Sequence, residues 1–183
     1  LSAFICFTHS TFAQIVGTQT YLQGQWLEIG YCPNGALGTT TSPAGYHPHL
    51  GFGGTNLAEV YDYGHDGWTV GAPPYMGDYT YPGSPFEGWT IQANGQRAQA
   101  YFSGAGTFSF SGGGTMAGSA PTAYTNTGGR VCGYWGGTTY GGNLDMTMET
   151  RVDTLASWVV FTVKMYNRTA APIPDVYYWR SCD

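Results

Sequence analysis

An all-β fold, an antiparallel β-sandwich with a long Gly- and aromatic-rich insertion, is what this sequence predicts. Three observations predict it. Apolar and polar residues alternate in short runs, most cleanly over Asn143–Val152, the period-two signature of a half-buried strand. Turn formers punctuate the chain, with 29 Gly and 10 Pro among 183 residues, and no segment sustains a helical period. The core-forming bulk comes from 15 Tyr, 9 Phe and 6 Trp, while only 9% of residues are charged, against about 25% in ordinary soluble domains. The length suits a single core.

The first element is not a strand in this reading. Leu1–Phe7 is a short apolar run, and Thr11, any residue, then Ala13 precede Gln14, a pattern that a signal peptidase accepts. Residues 1–13 are therefore expected to be a signal peptide cut short at its start, leaving one sandwich domain over 14–183. Asp183 follows a strand directly, so the domain is expected to continue in a longer protein. Tyr21–Tyr31 reads as one strand ending at the turn Pro33-Asn34-Gly35. From there to residue 90 only Leu57–Tyr61 reads as a strand, and Thr107–Ser111 is a short alternating piece in a Gly/Ser/Thr-rich stretch.

Three strands close the chain. Over Asn143–Val152, Leu144, Met146, Met148 and Val152 share one face. Ser157–Asn167 follows, with Val159, Phe161, Val163 and Met165 expected to be buried. Its other face, with Trp158, Val160 and Tyr166, is also largely apolar, which places this strand inside the sandwich. Asp175–Ser181 then completes an expected meander. Export would leave Cys32, Cys132 and Cys182. Three thiols allow one internal disulfide at most, and Cys32–Cys132 is the preferred pairing because each follows a strand-like stretch with Tyr and Gly nearby.

Composition excludes some functions. A formal net charge of -5 with a single Lys supplies no cationic face for nucleic acid. No GxSxG, HExxH, Walker or CxxC motif occurs, and GFGGTN at Gly51 has Asn56 where a phosphate loop needs its third Gly. The chain is read as non-enzymatic.

The densest polar cluster is Tyr61–Trp89, with Asp62, Asp66, Asp78, Glu87 and His65 among many aromatic rings. Asp62, Asp66 and Asp78 are candidate metal ligands. No cofactor is required, and Ca²⁺ is the ion that oxygen ligands in an exported protein would take; a solvated, tightly turned loop is the alternative. No Lys or Arg occurs from residue 50 to 96. These acids must then be exposed, paired at long range with Arg97, Arg130 or Arg151, or bound to a cation. Trp68, Tyr75, Tyr79 and Trp89 are candidate ligand-binding rings, since flat rings beside acids are how sugar sites are built; burial of the Trp rings in the core is the competing reading.

Several phrases, LQGQWLEIGYCPNGALGTT, SPAGYHPH and YDYGHDGWTVGAPPYMGDYTYPGSPFEGW, resemble the N-terminal β-rich region of large exported, adhesin-like surface proteins of gliding Gram-negative bacteria, the type IX secretion kind. SWVVFTVKMYNRTAAPIPDVYYWRSCD is similar to part of the super-sandwich of mutarotase-like domains. The resemblance implies an extracellular or cell-surface location and a non-catalytic adhesion or structural role. Its partners would be a glycan or surface ligand and other domains of the same protein, with no membrane span. The alternative is a carbohydrate-binding module or the ancillary sandwich of a glycoside-processing enzyme.

Overall fold

The computed structural model describes residues 12–48, 56–68, 76–78, 87–103, 107–112, 117–139 and 141–182. Its hairpins follow from turn chemistry. Asn94 and Gly95 both have positive φ, and so do Gly128 and Gly129. Two such residues in a row form the turn whose twist matches paired strands. They join β6 (Glu87–Ala93) to β7 (Gln96–Ser103) and β9 (Ala117–Thr127) to β10 (Arg130–Thr139).

The described residues are all β, with no helix, in three antiparallel sheets of which none closes into a barrel. The first sheet runs in simple order: β1 (Phe12–Val16), β2 (Gln19–Gln23), β3 (Leu27–Tyr31), β4 (Glu59–Asp62), β5 (Met76–Asp78). With β11 (Leu144–Asp153) and β12 (Val159–Asn167) assigned, the second has the order β12-β11-β10-β9. With β8 (Thr107–Gly112) and β13 (Tyr177–Cys182) added, the third has the order β13-β6-β7-β8. No helix here is long and apolar enough to cross a membrane.

One core unites the three sheets. Leu22, Leu27 and Ile29 enter it from the first, Val131, Trp135 and Met146 from the second, and Trp89, Ile91 and Ala98 from the third. The turn after β3 plugs the space between them. Trp135 donates its indole N–H to the Pro33 carbonyl at 2.7 Å, and Trp89 donates to the Asn34 carbonyl at 2.9 Å. Asn34 Nδ2 in turn donates to the Tyr101 carbonyl at 3.1 Å. Satisfying buried N–H groups in this way lets two large rings be enclosed without an orphan donor.

Strand β10 approaches that plug closely at Gly133, where a Cβ would collide with the Tyr31 hydroxyl. Gly133→Ala is therefore expected to cost about 1–3 kcal/mol as an overpacked core. Adding Tyr31→Phe should recover part of that loss in urea titrations. Strictly additive losses would place the strain elsewhere.

The structure corrects several expectations. Tyr21–Tyr31 is two strands, β2 and β3, folded back on each other. The closing meander does not form: β11 pairs with β12, but β13 crosses over and pairs with β6. That leaves β12 as an edge strand, so Val159, Phe161, Val163 and Met165 are only partly buried, and Trp158 and Tyr166 are exposed. The expected Cys32–Cys132 disulfide is absent, and both side chains are buried. The Cys32 thiol instead donates to Asn34 Oδ1 at 2.7 Å, inside the plug. Phe12 and Ala13 belong to β1, in register with Gln23 and Leu22, and Ala13 is in the core.

Candidate functional site

The acidic loop resolves into an internally satisfied turn where it is described. Asp62, at the end of β4, is buried, and its Oδ2 accepts the backbone N–H groups of Gly67 and Trp68, each at 3.0 Å. This holds Trp68 at φ 66°, a left-handed conformation that is uncommon for a bulky residue. The Trp68 ring lies flat on His47, centroids 4.4 Å apart and 2° from parallel. His47 is fixed from its other side by Glu28, whose buried carboxylate accepts from the His47 backbone N–H at 2.7 Å and sits 2.8 Å from Nδ1.

Asp66 is exposed in the same turn. The Asp78 side chain lies outside the described residues, as do Tyr75 and Tyr79, while the Asp78 backbone pairs with Val60. Among the described residues, no three His, Cys, Asp or Glu side chains converge on a common point. Hydrogen bonds to a charged group contribute about 1.5–3 kcal/mol, so Asp62→Ala is expected to lower stability by about 2 kcal/mol, equally with calcium and with chelator. A loss confined to calcium-containing buffer would instead assign Asp62 to an ion.

Glu87, the fourth acid of the cluster, forms a buried ion pair with Arg180 of β13. Its Oε2 also accepts the Leu37 backbone N–H at 2.5 Å. The guanidinium covers the Phe161 ring at 3.7 Å and reaches Met148 Sδ at 2.9 Å. Burial pushes the Glu87 carboxyl above its ordinary value, opposed by Arg180. Trp89, next in line on the same inner face, is 2% exposed. Trp68 is 8% exposed. Neither of these two rings has an open face to offer a ligand.

Tyr63 of the Asp62 turn is exposed, as are Trp158 and Tyr166, and a stacked pair of exposed rings lies on β13. On β13, Tyr177 and Trp179 alternate with the inward Tyr178 and Arg180, stand half exposed, and stack with centroids 5.7 Å apart. They belong to the outer face of the third sheet, whose register builds three rows: Tyr177–Gln92–Arg97, Trp179–Thr90–Gln99 and Ser181–Gly88–Tyr101. Over the last two rows lies an open groove of about 370 Å³, bordered by Thr90, Gln99, Tyr101 and Ser181 and floored at Gly88. That volume is within the usual range for ligand sites, about 300–1,000 Å³. Gly88 is required there, because a Cβ would run into the Ala100 carbonyl and Tyr101 Cβ. The sequence carried one sign of this face, aromatic residues on both faces of DVYYWRS.

What fold and site define is an all-β, three-sheet scaffold presenting an aromatic and polar sheet face. Comparison of the chain with protein-family models, with curated proteins and with solved structures finds no match.

Proposed function

We propose that this chain is a non-catalytic, glycan-binding adhesion module of an exported, surface-located protein. Its ligand lies along the outer face of the third sheet. The observation that carries the reading is the stacked, half-exposed Tyr177–Trp179 pair beside a groove edged by hydroxyl and amide groups. Aromatic bodies cover the apolar face of a sugar ring, and neutral polar groups orient its hydroxyls. The buried acids Glu28 and Glu87 are committed to His47 and Arg180 inside the protein, out of reach of a ligand on this face.

Glycan-array and polysaccharide pull-down measurements test the reading. Trp179→Ala is expected to weaken retention at least tenfold without changing the melting temperature. Trp158→Ala, which removes another exposed ring, is expected to leave retention intact. Retention that survives Trp179→Ala, or no retention on any glycan, would remove the basis for it.

A further inference from the structure

We infer that the groove takes an uncharged, hydroxyl-rich segment of polysaccharide; the inference rests on the glycan-binding reading and narrows its ligand class. The polar side chains at the groove are the hydroxyls of Thr90, Ser181 and Tyr101 and the amide of Gln99. Each of these groups both donates and accepts hydrogen bonds, as sugar hydroxyls do. The one carboxylate among the lining residues, that of Glu87, is fully buried and paired with Arg180. Strand alternation puts it on the opposite side of the sheet from Gly88. A carboxylated or sulfated sugar in the groove would meet no opposite charge there, and desolvating an unpaired ion is costly. Arg97 is the cation of this face among the described residues, and it stands in the first row, across Gln92 from Tyr177. The formal net charge of -5 adds long-range repulsion of polyanions.

Native gel affinity electrophoresis separates the classes, with hydroxyethylcellulose, galactomannan and dextran as uncharged probes and carboxymethylcellulose and alginate as charged ones. The expected result is retardation by at least one uncharged polymer. It should persist in 0.5 M NaCl and fall at least fivefold in Trp179→Ala and in Ser181→Ala. The matched charged polymer should retard the protein less. Retardation by the charged polymers alone, abolished by salt and by Arg97→Gln but still dependent on Trp179, would overturn the ligand class and leave glycan binding standing. Retardation by none of the five would overturn both.

Discussion

Arg180→Met is expected to destabilise the protein by about 3–5 kcal/mol at pH 7, the usual cost of leaving one member of a buried ion pair alone. Glu87 has no exposed side-chain surface, and the Arg180 side chain is 13% exposed. Without the guanidinium, the carboxylate keeps the Leu37 N–H but no compensating charge. Burial already holds the Glu87 carboxyl above its ordinary 4.5, and Arg180 is the largest influence pulling it back. The variant's folded state therefore keeps its proton to higher pH than the unfolded chain does. The sign follows: the penalty is smallest below about pH 4.5 and grows as pH rises toward the folded-state value. Urea titrations at pH 4.5 and pH 7.5 measure this directly. Glu87→Gln in the Arg180→Met background removes the stranded charge and should recover much of the loss. A cost under about 1 kcal/mol, or one indifferent to pH, would show that the pair is not needed to close the third sheet over the second.

The same pair shows where the sequence stopped being readable. Periodicity assigns faces but not partners. The alternation over Asn143–Val152 placed Leu144, Met146, Met148 and Val152 correctly in the core. In β12 apolar residues on both faces suggested an interior strand, because nothing local reveals that β13 will leave for the third sheet and make β12 an edge. Tyr21–Tyr31 concealed a hairpin because apolar residues flank Gly24 and Gln25 on both sides. For the acids, three outcomes had been open: exposure, long-range pairing or a cation. Asp62 took a fourth, backbone N–H groups five and six residues further on. Glu87 paired at long range, with Arg180. Residue type and loop composition marked Trp68 and Trp89 and passed over Trp179, since a ring in the core and a ring on a sheet face look alike until register is known. The proposed location and role rest on the resemblance to exported surface proteins, and the proposed ligand face on strand pairing.

Above pH 9 the protein is expected to lose stability steeply, and Cys32 is the group to follow. Its thiol has no exposed surface and lies inside the plug, donating to Asn34 Oδ1 at 2.7 Å with the Ala36 carbonyl at 3.3 Å. A thiolate there would lose hydration and face two acceptors, and burial pushes the group from 9.0 up to about 12. Tyr31 and Tyr46, also buried, are raised chiefly by desolvation. For all three, the folded state holds a proton that the unfolded chain releases at lower pH. Their contribution is complete below the unfolded value and disappears as pH rises toward the folded one. Each group contributes a slope of about 1.4 kcal/mol per pH unit, so Cys32 alone removes about 4 kcal/mol by pH 12. Urea titrations between pH 7 and pH 11 should show a plateau to about pH 9 and then a decline. Cys32→Ala should start lower because a buried side chain is lost, yet decline less steeply, by about one proton between pH 9.5 and pH 11. Thiolate absorbance near 240 nm, compared between the native protein and Cys32→Ala, gives a second reading. A Cys32 thiol that ionises near pH 9 in the native state, or stability that stays flat to pH 11, would mean the turn between Cys32 and Leu37 opens to water and does not plug the core.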